Sequence, residues 1–319
     1  MASWLIAGAI ALAWCVVALW LGPKVGFVDR PERSTLTAHK RLAVPLGGVG
    51  VYLGVHGAAF SRGAFEPALF VSSSLVLVLG LVDDRFGLSP VVRLVVQGLS
   101  GVVLVAWGAL SGAGPWLMVI GVALVIIATN AVNLYDGLDG LAGLSAMVSA
   151  LGLAVISGLQ GASRLSAIDL AAALVGFLIL NWHPARVFLG NCGSYVTGLF
   201  LAHLILTAGS PSAASTVLTS GILGVFVIDL VASLIRRSRA GESLFAGDRA
   251  HIYDQMRDRG LSVPAVALSS GLAQLVLAGL LVAIISLERP RLGIVLAASL
   301  FVACLGLLST LGFLKPRRG

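Results

Sequence analysis

Charge is scarce in this 319-residue chain: 21 basic and 14 acidic residues make up 11% of it, against 58% hydrophobic, and the mean hydropathy is +1.01. So few charges cannot solvate a soluble surface of this length, which excludes an ordinary soluble domain and indicates a polytopic membrane protein. Cysteine is nearly absent. Cys15, Cys192 and Cys304 are far apart and two lie in apolar runs, so neither a disulfide framework nor a zinc site is indicated. Fixed-period repeats, low-complexity tracts and lipidation motifs are missing, and no hydrophilic stretch is long enough to fold alone. The net charge of +7 therefore belongs to loops and membrane surfaces, and nucleic acid is a poor explanation for it.

Long apolar runs are what the chain does have. At about 20 residues per crossing, eleven spans are predicted: 3–22, 43–60, 67–82, 91–108, 116–134, 142–159, 166–182, 194–208, 214–235, 263–286 and 292–314. The expectation is an all-α polytopic membrane protein of about 11 transmembrane helices, forming a single integral membrane domain over 1–319. The first run has no basic residue before it and Lys24 after it, which reads as a retained span and not a cleaved signal peptide. With the N-terminus outside, the outer loops hold only Arg62, Arg164, Arg289 and Arg291, leaving 17 of the 21 basic residues inside. That is the asymmetry of the positive-inside rule. The longest hydrophilic stretch, 236–262, then becomes a basic cytoplasmic loop.

The polar motifs all fall on that same side. The stretch from Thr129 to Leu144 packs two asparagines, two aspartates and three glycines into sixteen residues directly after an apolar run. Unpaired amides and carboxylates are costly in lipid, so they must face protein or water, and ionisable groups at membrane depth read as functional. Asn130, Asn133 and Asp136 fall at i, i+3 and i+6, neighbours on successive turns if the helix continues. A plainer reading is a polar helix end with small packing residues.

Four further segments carry candidate chemistry. Asp83 and Asp84 end the third span, where the negative end of the helix dipole opposes them. They are either a stop signal neutralised by Arg85 or a cation-binding or proton-holding pair. Gly190-Asn191-Cys192-Gly193-Ser194 suits a tight turn that presents Asn191 at the surface. The loop from Arg236 bears Arg249 and His251, and serves either as an anchor for anionic lipid or as a phosphate contact. Asp229 lies inside a span, where a carboxylate pairs with an arginine or supports a site. Lys40-Arg41, followed by Pro45, Gly47 and Gly48, opens a span as an ordinary helix start or as a phosphate contact.

Taken in this order, the segments resemble the polyprenyl-phosphate N-acetylhexosamine-1-phosphate transferases, multi-span bacterial enzymes that start cell-envelope glycan assembly. Pro45 to Gly48 looks like the family's Pro-x-Gly-Gly element, Asp83-Asp84 like its paired aspartates, and Asn130-x-x-Asn133-x-x-Asp136-Gly-x-x-Gly140 like its signature. Gly190 to Ser194 matches its Gly-Asp-x-Gly-Ser turn in all but one residue, and Asp248 to His251 looks like the start of its histidine motif. The resemblance implies transfer of a sugar 1-phosphate, N-acetylglucosamine 1-phosphate before others, from a UDP-N-acetylhexosamine to a polyprenyl phosphate, with UMP released. It implies magnesium, or manganese in its place, a multi-pass protein of the cell membrane among membrane lipids with its active site on the cytoplasmic face, and it admits a homodimer. It assigns catalysis to Asp83, Asp84, Asp136 and His251, substrate binding to Lys40, Asn130, Asn133, Asp139 and Arg249, and metal binding to Asp136 and Asn191.

Two departures stand out. Asn191 occupies a position where the family usually has a metal-ligating aspartate, and Tyr253 and Asp254 follow where further histidines are usual. Asn191 motivates an alternative, an attenuated homologue that binds polyprenyl phosphate or nucleotide sugar without efficient turnover. A secondary transporter would place its ionisable groups near the bilayer midplane, whereas here they crowd at one surface.

Overall fold

The computed structural model describes residues 2–28, 43–209, 212–241, 243 and 250–315. Thirteen α-helices account for nearly all of the described residues: α1 (Ser3–Val25), α2 (Gly47–Ser61), α3 (Pro67–Phe86), α4 (Pro90–Val102), α5 (Pro115–Tyr135), α6 (Leu141–Leu159), α7 (Leu165–Asn181), α8 (Gly190–Thr207), α9 (Ala213–Thr219), α10 (Gly224–Ala240), α11 (Ile252–Asp258), α12 (Val263–Ile285) and α13 (Pro290–Thr310). Proline begins α3, α4, α5 and α13, where its fixed φ suits the first turn and its missing N–H costs nothing.

Among the described residues, eight helical stretches are long and apolar enough to cross a membrane: α1, α3, α4 with its π-helical continuation to Ala109, α5, α6, α9 through α10, α12 and α13. The eleven predicted spans add α2, α7 and α8. Of these, α2 and α7 are short, with 15 and 17 residues, and α8 is diluted by Asn191, Ser194 and His203. The bundle is built around α8, which is buried from Cys192 to Leu206 and packs on α2, α3, α5 and α6. Glycine makes this closeness feasible. A Cβ on Gly48 of α2 would come within 2.0 Å of the Gly193 backbone, and one on Gly80 of α3 within 2.2 Å of the Cys192 backbone. At the periphery, α13 buries only Gly293 and leaves Val295, Val302 and Leu307 exposed on a face that lipid would cover.

Several boundaries differ from the sequence expectation, each for a physical reason. Residues 43–46 are not helical, because the backbone at Val44 pairs in parallel with Val187 and the Gly47 and Gly48 N–H groups donate to Phe188 and Leu189. The predicted span 214–235 is interrupted by a 3₁₀ turn at Ser220–Leu223. Gln274 of α12 satisfies the freed backbone there, donating to the Ile222 carbonyl at 2.7 Å and accepting from the Val225 N–H at 3.1 Å. A broken helix at membrane depth needs such a partner. Arg236 and Arg237, read as the start of a loop, lie buried in the last turns of α10, and the loop itself contains α11.

Candidate functional site at one end of the bundle

The ends of α3, α5 and α7, the first half of α10 and the starts of α2, α6 and α8 gather the motif residues. The two adjacent aspartates part company here. The Asp83 carboxylate accepts the Leu88 N–H at 2.7 Å and the Tyr195 hydroxyl at 2.9 Å, and it pairs with Arg93 at 2.9 Å. Those three donors offset the unfavourable dipole of α3 and commit both oxygens. Asp84 instead accepts the Asn191 and Cys192 N–H groups at 3.0 and 3.3 Å, so it caps the positive N-terminus of α8.

Asn191, expected in a turn, sits in the first turn of α8, after Gly190 takes a φ of 74° that favours glycine. The Asn133 amide donates to the Asn191 side-chain oxygen at 2.7 Å and to the Ser194 hydroxyl at 2.9 Å, and Ser194 donates to the Asn191 carbonyl at 3.2 Å. Asn130 turns elsewhere, donating to Gln97 of α4 at 2.6 Å and to the Ile126 carbonyl.

Helix α5 stops at Tyr135, so Asp136 lies one residue past the helix. No hydrogen bond to its carboxylate is present among the described residues. Withdrawal from water, with the Asp84 and Asp139 charges nearby, pushes this carboxyl up to about 7. Asp139 is buried and bound elsewhere. Its Oδ2 meets His183 Nδ1 at 2.7 Å and the Ala185 N–H at 3.0 Å, and Asn181 accepts the Gly140 N–H at 3.0 Å. Together these bonds stitch the loop after α5 to the loop after α7.

His251 enters from the other side. Its Nδ1 donates to Asp229 Oδ2 at 2.6 Å, and its ring stacks on Tyr253 with centroids 5.2 Å apart. The Tyr253 hydroxyl donates to the Leu134 carbonyl at 3.0 Å. Asp254, next along α11, has its carboxyl pushed up to about 6 by burial, with His251 acting against the shift. Lys40, Asp248 and Arg249 lie outside the described residues.

The site therefore brings together Asp84, Asn133, Asp136 and Asn191, with Asp83 and Asp139 held by donors of their own, Asn130 directed toward α4, and His251 on a separate Asp229 mount. Among the described residues no three His, Cys, Asp or Glu side chains converge as a metal cage. Asp136 and Asp84 could still hold a cation that keeps most of its waters. Sequence reasoning passed over Arg93, Tyr195, Asn181 and His183. Their signal, polar residues in or beside apolar helices, lacks meaning until the partner across the bundle is known.

A helical membrane bundle with carboxylates and amides gathered at one end, and apolar helices around them, defines a polytopic membrane protein with an acidic site. Residues 67–209 match the family described as glycosyl transferase family 4. Similar proteins include the decaprenyl-phosphate N-acetylglucosaminephosphotransferase of Mycobacterium tuberculosis (strain ATCC 25618 / H37Rv), 29% identical over 78% of this chain and 73% of that protein. They also include the undecaprenyl-phosphate alpha-N-acetylglucosaminyl 1-phosphate transferase of Escherichia coli (strain K12), 30% identical over 75% of this chain and 71% of that protein. The Mycolicibacterium smegmatis decaprenyl-phosphate N-acetylglucosaminephosphotransferase is 29% identical over 76% and 71%. The chain belongs to glycosyl transferase family 4.

Proposed function

We propose that this protein transfers N-acetylglucosamine 1-phosphate from UDP-N-acetylglucosamine to a polyprenyl phosphate, releasing UMP. An oxygen of the lipid phosphate forms a bond to the sugar-linked phosphorus, and the bond from that phosphorus to the UMP oxygen breaks. The observation that carries the reading is the meeting of Asp84, Asp136 and Asn191 at the start of α8, with one carboxylate lacking a hydrogen-bond partner among the described residues. The relatives' names supply the polyprenyl phosphate and the N-acetylglucosamine 1-phosphate group, the family resemblance supplies the uridine donor, and the acidic cluster supplies the chemistry.

Two anions must approach each other, so a site built from carboxylates alone would repel both. Magnesium fits the donors present, since it takes one or two carboxylates plus substrate phosphates. Asp136 and Asp84 would hold it, with the Asn191 carbonyl oxygen beside them. When bound it would offset phosphate charge and stabilise the leaving UMP. Asp84 is better placed than Asp83 to face the lipid phosphate, because Asp83 already accepts three donors. Asn133 and Ser194 hold Asn191 in orientation. His251 would meet the substrate through Nε2, and Lys40 and Arg249 would add positive charge.

The setting is proposed as well: α2, α7 and α8 cross the bilayer too, giving eleven crossings, the site faces the cytoplasm, and the membrane is the plasma membrane. Basic residues concentrated at the site end support that orientation. An attenuated homologue is the second reading, favoured by one observation. The Asn191 oxygen carries no charge and already accepts from Asn133.

The deciding experiment gives the purified full-length protein a polyprenyl phosphate and a panel of UDP-sugars, with magnesium and then with chelator. UMP release and a pyrophosphoryl-linked lipid product with UDP-N-acetylglucosamine, lost on chelation, are expected. Binding of nucleotide sugar without UMP release would favour the attenuated homologue.

A further inference from the structure

We infer that Asp229 is a positioning residue for His251, holding its imidazole in one tautomer and one orientation. Asp229 is fully buried on α10 and accepts twice: from His251 Nδ1 at 2.6 Å through Oδ2, and from the Ile252 N–H at 2.8 Å through Oδ1. One carboxylate thus fixes both the ring and the backbone that carries it. A carboxylate only accepts, so the proton of this bond resides on Nδ1, and His251 would meet a substrate through Nε2.

One face of the ring is held as well. The His251 ring lies parallel to that of Tyr253, within 2°. Tyr253 packs edge-on to Tyr135 and over Gly137, where a Cβ would come within 2.3 Å of its hydroxyl. Its hydroxyl bond to the Leu134 carbonyl ties this support to the end of α5. Asp229 therefore sets His251 relative to the loop that bears Asp136. This chain's Tyr253 takes part directly, as the plate on which the imidazole rests.

What His251 contacts rests on the transferase reading, but the tautomer does not, so two measurements separate them. In protein labelled with ¹⁵N-histidine, the His251 signals can be assigned among five histidines by their loss in His251→Gln. They should show the proton on Nδ1. In Asp229→Asn the amide oxygen keeps the Ile252 N–H and the amide nitrogen faces the ring, so the proton should move to Nε2. In UMP release, Asp229→Asn should lower kcat at least about tenfold with KM changed less than about threefold. In a His251→Gln background the same change should cost less than about twofold, because its effect acts through the imidazole. A wild-type spectrum with the proton on Nε2, or an equal kcat loss in both backgrounds, would overturn the inference. If the wild type releases no UMP from any donor, the transferase reading fails, and the spectrum still decides the role of Asp229.

Discussion

The two ends of the helical bundle handle charge in opposite ways. At the end away from the site, charges pair directly with one another: Arg62 bridges to Asp169, which also accepts from Ser3 at 2.8 Å, and His203 meets Glu66 at 3.4 Å. Nearby, His56 bonds to Ser73 at 2.8 Å. These contacts join α1, α2, α3, α7 and α8, and their carboxylates have partners. At the site end, Asp83 and Asp139 also have partners, but Asp84 and Asp136 face each other's charge, and no cationic side chain is bonded to either among the described residues. A fold gains nothing by crowding two carboxylates together partly withdrawn from water, since like charge and lost solvation both cost. The difference teaches where to look for chemistry: at the group whose cost the protein's own contacts leave uncompensated.

The largest effect should come from breaking the paired end. Asp169→Ala strands Arg62 and the Ser3 hydroxyl, and removing one partner of a buried pair costs about 3 kcal/mol. Thermal unfolding in detergent should show that loss, while UMP release per folded molecule stays within about twofold of wild type. A drop in turnover to match would blur the two ends into one system.

Asn191→Asp should come next, at about 2 kcal/mol, by adding a third charge beside Asp84 and Asp136. Under chelator the variant should melt below wild type, and magnesium should raise its Tm more than it raises that of wild type, because binding to the folded state stabilises by mass action. Equal magnesium responses would remove residue 191 from the metal account. Tyr195→Phe deletes one donor to the Asp83 carboxylate and should cost about 1.5 kcal/mol. Its turnover should hold if Asp83 is a support.

The smallest effect concerns pH. Asp254 has a folded value of about 6, above its usual carboxylate value of 3.8. Between those values the unfolded chain has released its proton and the folded chain has not, so stability falls as pH rises through that window and is level above it. Asp254→Asn should flatten that slope, gaining under about 1 kcal/mol at pH 7 once partial exposure is discounted. A slope unchanged from pH 4 to 6 would assign it to other groups.

Much of this was legible in the chain, for reasons that also mark where reading stopped. Helices follow from apolar length and from proline at their starts, so each predicted span has a helix beneath it. The motifs announced themselves because polar residues stand out against lipid. The contrast between Asp83 and Asp84 was hidden, since it depends on Arg93 and Tyr195, the latter 112 residues away. The pairing of Val44, Gly47 and Gly48 with residues 186–189 was hidden likewise, being a set of backbone bonds between distant segments. Gly190 read as a turn, yet it opens α8, because the Asp84 carboxylate caps the N–H groups that follow. The break between α9 and α10 needed Gln274, a residue that looks unremarkable in its own helix.

The most direct test of the account is Asp136→Asn, assayed for UMP release from UDP-N-acetylglucosamine and polyprenyl phosphate alongside thermal unfolding of the same sample. The prediction is turnover down by on the order of 10³-fold or more with Tm equal to or above wild type, since a carboxyl pushed up to about 7 by its surroundings destabilises the fold when ionised. Turnover within tenfold of wild type, or a Tm loss like that expected for Asp169→Ala, would contradict it, because Asp136 would then be one more structural partner.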